Sequence, residues 1–186
     1  TALATIFKKV KLNTHENVGW GKIAIPEESS HTAAYWMAFT DRATSGLRRD
    51  DLAAGLDGAG HLLCSLAPVF CLCDSRDIGV SAQVRSPHTE TPTIFLYDTA
   101  PGGIGLAEKL FEVREELLEA ALTTLAACDC TNGCPSCVGP QVETESPAKR
   151  AAWLLLARMC DEEAQLDGRA RLPGQVTQPA MASRAN

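Results

Sequence analysis

The pattern of apolar and polar positions predicts five β-strands. Short runs that alternate in polarity, or that are rich in β-branched and aromatic residues, are typical of strands with one buried face. Pro26 ends the second run, and a loop containing Pro87 and Pro92 separates the last two. The predicted strands cover residues 1–12, 20–25, 31–40, 78–84 and 93–97.

The clearest helical pattern extends from residue 103 to about residue 127. Its apolar positions recur at spacings of three, four and seven, which places them on two neighbouring stripes and leaves a narrow acidic edge. Such a helix is expected to pack on both sides, and its acidic edge is unsuited to contact DNA. The apolar positions are Ile104, Leu106, Ala107, Leu110, Phe111, Val113, Leu117, Leu118, Ala121, Leu122 and Leu125.

A second helix is predicted over about residues 52–66. Asp50 and Asp51 precede it and belong to the residue types that cap helix N-termini. Three glycines inside the segment lower its helix propensity and leave its start uncertain. The apolar run that follows, residues 69–73, is interpreted as a separate buried segment.

The last helix is predicted to begin at Ser146, with Pro147 at its first helical position, where the missing N–H has no cost. From about residue 166 the sequence becomes polar and rich in Gly, Pro, Gln and Arg, which is typical of disorder. We therefore expect one domain over residues 1–165 and a disordered tail over residues 166–186. The order of elements predicts an α+β fold in which helices cover a mostly antiparallel sheet.

Composition and charge exclude several classes of protein. The chain has 186 residues and a formal net charge of -6, which argues against a stand-alone, non-specific nucleic-acid binder. We see no apolar segment that approaches the roughly 20 residues of a membrane span, so no membrane partner is expected. The chain begins at Thr1, inside a predicted strand, and we expect it to be a fragment of a longer polypeptide.

Four of the eight cysteines form the short pattern Cys128-x-Cys130-x-x-x-Cys134-x-x-Cys137. Two thiol pairs joined by a turn can surround one ion, and zinc prefers four such ligands at about 2.3 Å. An iron–sulfur cluster uses the same ligand set, and we favour zinc because the four cysteines are so close in sequence. Tight clustering, in place of a disulfide framework, predicts a reducing compartment and a cytoplasmic location.

The expected role of this metal is structural. Four protein ligands complete a tetrahedron, which leaves no position for water or substrate. The zinc knuckle lies between the last two predicted helices and is expected to fix the angle between them. The other cysteines, Cys64, Cys71, Cys73 and Cys160, are interpreted as small buried hydrophobic side chains.

A second motif, residues 97–105, joins a strand to a helix through a glycine-rich turn. Free amides at such a helix start can bind phosphate, but no Gly-Lys-Ser/Thr sequence follows, and Asp98 would repel an anion. The simpler interpretation is that Asp98 caps the helix. A third hypothesis combines Asp98 with Asp74 and Asp77 in a site for a divalent cation, which would make the chain a metal-dependent nuclease or hydrolase.

Contacts with nucleic acid are predicted from scattered basic and aromatic residues. Trp20, Tyr35 and Trp36 can stack on bases, although aromatic residues in alternating strands usually belong to the core. His31 begins a strand and is a candidate phosphate contact, although a lone histidine usually has a structural role. The basic candidates are Lys8, Lys9, Lys11, Arg48 and Arg49.

Four segments together resemble one known family in order and spacing. They are ENVGWGKIAIPEESSHTAAYW, LCDSRDIGV, IFLYDTAPGGIGLAEKLFE and CDCTNGCPSCVGP, and the similarity covers roughly residues 5–158. The family is that of the MrfA zinc-binding domain, which is found at the C-terminus of DEAD/DEAH-box-like superfamily 2 DNA helicases. The pairing of the YD-x-x-PGG-x-G block with the cysteine block is more specific than either block alone.

The resemblance implies an accessory module of an ATP-dependent, 3′ to 5′ DNA helicase that acts in DNA repair. It implies one zinc ion on Cys128, Cys130, Cys134 and Cys137, with DNA and the helicase motor domains of the same longer polypeptide as partners. The chain contains no Walker A lysine and no DEAH-like sequence, so we do not expect it to hydrolyse ATP alone. The alternatives that stay open are the metal-dependent hydrolase and a protein–protein scaffold.

Overall fold

The first strands of the chain form a hairpin of their own. The computed structural model describes residues 6–11, 14, 16–22, 30–140 and 147–166, in two units, Thr1–His31 and Thr32–Asn186. In the first unit, β1 (Ile6–Val10) pairs antiparallel with β2 (Asn17–Lys22). Both predicted N-terminal strands therefore exist, and the rest of their predicted length is mostly outside the described residues.

The second unit contains a three-stranded antiparallel sheet. Its strands are β3 (Ala34–Ala38), β4 (Ile78–Gln83) and β5 (Thr93–Asp98), in the spatial order β3-β5-β4. Along the central strand, Ile94 and Leu96 are fully buried, whereas Phe95 lies on the opposite face beside its pairing partner Trp36. One face of the sheet therefore builds the core, and the predicted antiparallel α+β architecture is confirmed.

The helices of the second unit pack around one central member. In the described part of the chain they are α1 (Asp41–Thr44), α2 (Arg49–Cys71), α3 (Leu106–Glu112), α4 (Arg114–Ala127) and α5 (Ala148–Leu166). α2 contacts the other long helices and the strands β4 and β5. Its Leu56, Leu62 and Leu63 are buried, and each such side chain stabilises the fold by about 1.5–3 kcal/mol.

Glycines let α2 approach its neighbours closely. A Cβ atom at Gly55 would lie 2.7 Å from the Cβ of Ala151 in α5. A Cβ atom at Gly60 would lie 3.0 Å from the side chain of Val80 in β4. Because protein interiors are close-packed, a larger residue at either position would push its neighbour away. The glycines that weaken the isolated helix therefore permit its packing on two sides.

The start of α2 differs from the prediction. Arg48 is the N-cap residue, so the prediction that Asp50 and Asp51 cap the helix is wrong. Both carboxylates lie in the first turn, where they interact favourably with the positive end of the helix dipole. Asp51 also forms an ion pair of 2.9 Å with Arg48, the residue that precedes the helix.

The end of α2 also differs, because the helix continues through Pro68 as far as Cys71. Residues 69–73 are therefore not a separate buried segment, and Leu72 is 92% exposed. By length and composition α2 could cross a membrane, in contrast to the expectation that the chain has no such segment. However, 44% of its most apolar stretch is buried inside the domain. Its packing is that of a core helix.

The helix predicted over residues 103–127 is two helices. Val113 has φ of −98° and ψ of 15°, outside the α-helical region, and separates α3 from α4. The break changes which positions face the core. Ile104 and Phe111 are exposed, in contrast to the prediction, whereas Leu110 and Leu117 are buried as expected.

The last helix begins slightly later than predicted. Pro147 precedes α5, and its carbonyl oxygen accepts a hydrogen bond of 3.0 Å from the N–H of Ala151. The proline thus occupies the position before the first helical residue, Ala148. The disordered tail is predicted over residues 166–186, but Leu166 is the last residue of α5. Ser146 and residues 167–186 lie outside the described residues.

Replacing Gly55 by alanine should destabilise the domain, although alanine is the better helix former by about 1 kcal/mol. The new methyl group would overlap Ala151, and overpacking of this kind costs about 1–3 kcal/mol. Ser65→Ala, at an exposed position of α2, is the control and should change the free energy of unfolding by less than about 0.5 kcal/mol. Urea denaturation followed by circular dichroism measures both, and a Gly55→Ala protein as stable as the wild type would contradict the close helix contact.

Candidate metal centre

Four thiols meet between the end of α4 and the start of α5, in a segment that we call the knuckle (residues 128–139). Their sulfur atoms all lie within 4.8 Å of one another. Within the described ranges this is the only group of three or more His, Cys, Asp or Glu side chains placed to share an ion. Its members are the four residues of the predicted motif, Cys128, Cys130, Cys134 and Cys137.

The sulfur–sulfur distances fit a single tetrahedral ion. The Sγ atom of Cys128 lies 3.4 Å from that of Cys130 and 3.6 Å from that of Cys134. The Sγ atom of Cys137 lies 3.4 Å from that of Cys130 and 3.6 Å from that of Cys134. Sulfurs about 2.3 Å from zinc form a tetrahedron with edges of about 3.8 Å. The donors are therefore gathered close to the spacing that one zinc ion requires.

Local backbone geometry brings the two halves of the knuckle together. Cys128 is the C-cap of α4, which directs the chain out of the helix. The N–H groups of Cys137 and Val138 both donate to the carbonyl oxygen of Cys134, which closes the second half into a turn. Gly133 joins the halves with φ of +131°, and a Cβ atom there would lie 2.4 Å from the Val138 side chain. The turn therefore requires glycine.

The knuckle is also packed onto the central helix α2. Val138 is buried, and a Cβ atom at Gly58 would lie 3.0 Å from it. Gly139 has φ of +77° and sits so close to the ring of His61 that a Cβ atom there would lie 2.7 Å away. These two contacts tie the metal-binding segment to the core.

The thiols differ in how easily they lose a proton. Burial raises the pKa of the Cys137 thiol to about 12. Hydrogen bonding, first from the backbone of Ser136 and then from neighbouring thiols, lowers the pKa of Cys134 to about 7. Burial also raises the pKa of Cys130, while the positive charge of Lys149 opposes this rise. A bound dication would favour all four thiolates by replacing their protons.

Lys149 also belongs to this centre, although the sequence analysis does not predict it. It lies in the first turn of α5 and is only 8% exposed. Its ammonium group donates to the carbonyl oxygens of Cys128 and Cys130, at 2.5 and 2.8 Å. A signal was available, because a lysine at the N-terminal end of a helix opposes the helix dipole and needs another partner.

The remaining cysteines do not join the cluster. Cys160 is buried, while Cys64, Cys71 and Cys73 are partly buried against the core. Burial raises the pKa of the last three thiols. Their geometry agrees with the interpretation of small apolar side chains.

The glycine-rich turn before α3 is organised by Asp98. The carboxylate of this fully buried residue accepts hydrogen bonds from the N–H groups of Ile104, Leu106 and Ala107. These are the amides that would otherwise be available to a phosphate group. Asp98 therefore caps the helix, as the simpler interpretation predicts.

The predicted carboxylate site is not assembled. Asp98 uses its carboxylate within the helix cap. Asp77 accepts a hydrogen bond of 2.9 Å from the N–H of Asp74, and Asp74 is paired with Arg76 at 3.1 Å. Asp74 and Asp77 thus shape a surface turn, and the three aspartates do not form a group that could share an ion in the described part of the chain.

The basic candidates for DNA contact lie in both units. Lys9 is exposed on β1, and Lys11 forms an ion pair of 2.8 Å with Glu16. The Lys8 side chain lies outside the described part of the structure. In the second unit, Arg49 is exposed at the first residue of α2. The pairing of Lys11 with an acid reduces its value for binding phosphate.

Two further candidates have defined surroundings. Arg48 is engaged with Asp51 at 2.9 Å, so its charge is partly compensated on the surface. His31, at the boundary between the units, is exposed. Neither geometry by itself indicates a phosphate site.

The aromatic candidates separate into core and surface. Tyr35 is buried and makes an edge contact with the ring of Phe111, at 6.2 Å between centroids. Trp36 is 56% exposed on the outer face of the sheet, and Trp20 is exposed on β2. The core interpretation therefore holds for Tyr35 but not for the two tryptophans.

Comparison with known proteins identifies a zinc-binding domain that includes the four cysteines of the knuckle. The family model of the MrfA Zn-binding domain matches residues 59–138. The uncharacterized ATP-dependent helicase YprA of Bacillus subtilis is 43% identical over 154 residues, which are 83% of this chain and 20% of that protein. The uncharacterized protein MJ1572.1 of Methanocaldococcus jannaschii is 40% identical over 81 residues, which are 42% of this chain and 72% of that protein. The chain thus spans about a fifth of the length of the helicase relative that it matches.

Two solved structures of one helicase are also similar to this chain. A crystal structure of the DUF1998 helicase MrfA bound to DNA has a TM-score of 0.67 and 42% identity, over 84% of this chain and 21% of that one. A second, bound to DNA and AMPPNP, has a TM-score of 0.59 and 41% identity, over 82% and 19%. The clustered thiols and the family model together indicate a domain with one structural zinc ion.

Replacing Cys134 by serine should lower the melting temperature severely, because the free energy of metal binding at such a site is also folding free energy. Cys73→Ser is the matched control, since Cys73 is partly buried outside the cluster, and it should melt within a few degrees of the wild type. Thermal melts with zinc analysis of the same samples measure both effects. Full zinc content in the Cys134→Ser protein would show that this residue is not a ligand.

Proposed function

Because the chain belongs to the MrfA Zn-binding domain family, we propose that it is the zinc-stabilised accessory domain of an ATP-dependent DNA helicase. The observation that carries the proposal is the four-thiol knuckle at the junction of α2, α4 and α5. It is supported by the relative YprA, which is named as an ATP-dependent helicase and of which the matched segment makes up 20%. In this proposal the motor activity belongs to the rest of the polypeptide.

Zinc has a structural role in this proposal, with Cys128, Cys130, Cys134 and Cys137 as its ligands. Four thiolates fill a tetrahedral shell, so the ion offers no position for a reacting water. The ligands lie on a segment that ends one helix and leads into another. The ion would therefore set the geometry of the helical surface that the domain presents to its partners.

DNA and the motor domains are the proposed partners, and this chain contributes modestly to DNA affinity by itself. The net charge is -6, and Lys11 and Arg48 are already paired with acids. Affinity for DNA depends largely on neutralising phosphates, so an acidic chain is expected to bind DNA weakly by itself. A weak site becomes effective when the motor holds the DNA nearby, because tethering raises the effective concentration. The domain would thus position DNA or the motor lobes.

The cellular context extends the same proposal. The resemblance to a family of repair helicases supports a role in DNA repair, and clustered reduced thiols fit a cytoplasmic location. The rival activity of a metal-dependent nuclease is disfavoured, because the carboxylate of Asp98 is taken up by the cap of α3. Asp74→Ala should accordingly leave any activity of the protein unchanged.

The test compares DNA unwinding by the whole helicase with Cys134→Ser and with Cys73→Ser. Loss of the zinc ligand should reduce unwinding at least about tenfold, as expected when a residue supporting a metal site is removed. Hydrolysis of ATP should fall less, because the motor motifs lie outside this chain. Cys73→Ser should unwind DNA like the wild type.

Two outcomes would contradict the proposal. The accessory role fails if the Cys134→Ser protein has lost its zinc and still unwinds DNA at the wild-type rate. The nuclease alternative gains support if this chain alone cleaves DNA with added Mg²⁺ and Asp74→Ala abolishes the cleavage.

A further inference from the structure

Lys149 is buried where a lysine is unfavourable. It is the second residue of α5, and only 8% of it is exposed. The N-terminal end of a helix carries a partial positive charge, so a cation in the first turn is destabilised. Moving an ammonium group out of water costs further free energy unless the group is paired. Both costs point to a compensating partner close by.

The compensating contacts all come from the first half of the knuckle. The ammonium group of Lys149 donates to the carbonyl oxygens of Cys128 and Cys130, at 2.5 and 2.8 Å. The backbone N–H of the same residue donates to the carbonyl oxygen of Asn132 at 2.9 Å. One residue thus binds three alternate carbonyl groups, which flank the first pair of thiols and the turn that follows it.

Within the part of the chain that the structure describes, no carboxylate forms an ion pair with Lys149. Among the described residues, the ion pairs involve other lysines and arginines. Four thiolates around a dication carry a net charge of about −2, and the contacts of Lys149 with Cys128 and Cys130 place its ammonium group beside that shell. Carbonyl contacts alone satisfy the donors of the ammonium group, but only a negative centre would offset its charge.

We propose that Lys149 is a positioning residue of the metal centre, which holds the first cysteine pair in register and offsets the negative charge of the thiolate shell. This inference rests on the proposed zinc site. It gives α5 a role besides packing, because a residue in its first turn also contacts the metal-binding segment. Outer residues of this kind are known to tune both affinity and electronic structure of a bound metal.

The test is Lys149→Met, which keeps the length of the side chain and removes its charge and its donors. Zinc affinity is measured by competition with a chromophoric chelator, and the thiolate-to-metal absorption is measured after Co²⁺ substitution. We expect Lys149→Met to bind zinc about 10- to 100-fold more weakly and to shift the Co²⁺ absorption bands. A purely structural contact would lower stability without moving the spectrum.

Arg158→Met is the matched control on the same helix. Arg158 also donates to two carbonyl oxygens, those of Ala43 and Ser45, each at 2.8 Å, but it joins α5 to α1 and not to the knuckle. Its loss should lower the melting temperature while zinc affinity stays within about twofold of the wild type. The exposed neighbour Arg150→Met should change neither property.

The outcomes separate this inference from the proposed function. If the wild type binds no zinc, the proposed zinc site itself is wrong. If the wild type binds zinc, and Lys149→Met binds it within twofold with an unchanged Co²⁺ spectrum, only the role of Lys149 is refuted. If Lys149→Met does not fold, Lys149→Gln, which keeps a hydrogen-bond donor but no charge, takes its place. The proposal then requires weaker zinc affinity and shifted Co²⁺ bands in Lys149→Gln, and wild-type values of both would overturn it.

Discussion

The second unit depends on the convergence of three helices on one group of thiols. α4 ends at Ala127 and is followed by Cys128, the chain turns through Gly133, and Val138 and Gly139 pack onto α2 before α5 begins. Burial raises the pKa of the Cys137 thiol to about 12, whereas hydrogen bonds lower the pKa of Cys134 to about 7, so the thiols differ in how readily they lose a proton. A bound dication would attract all four thiolates, and it would thereby hold the end of α4 and the start of α5 in place.

The rest of the core is arranged to keep those helices close. Gly55 allows α2 to approach α5 at Ala151, and Gly58 allows it to approach the knuckle. On the other side of α2, Gly60 faces Val80 of the sheet. The three glycines lower the helix propensity of α2 but allow close contacts on two of its sides. This is favourable because the packing stabilises the fold by more than the lower propensity destabilises it. The metal centre and the sheet are linked through one helix.

The parts that could be predicted from the sequence are those in which neighbouring residues decide the structure. Cysteine spacing predicts the cluster, alternation predicts the strands, and Asp98 before a glycine-rich turn predicts the cap of α3. The other features depend on distant residues. Val113 breaks a helix that its periodicity would continue, and Leu72 ends α2 in a left-handed conformation while exposed. Lys149 acquires its partners only when α5 meets the knuckle, so its role is visible in the fold alone.

Zinc K-edge X-ray absorption on protein purified without added metal tests the central claim most directly. The account predicts one zinc per chain, by elemental analysis, surrounded by four sulfur atoms at about 2.3 Å and by no nitrogen or oxygen ligand. A shell that contains nitrogen or oxygen would mean that one of the four cysteines is not a ligand. Iron in place of zinc, with visible absorption, would contradict the account and indicate an iron–sulfur cluster on the same residues.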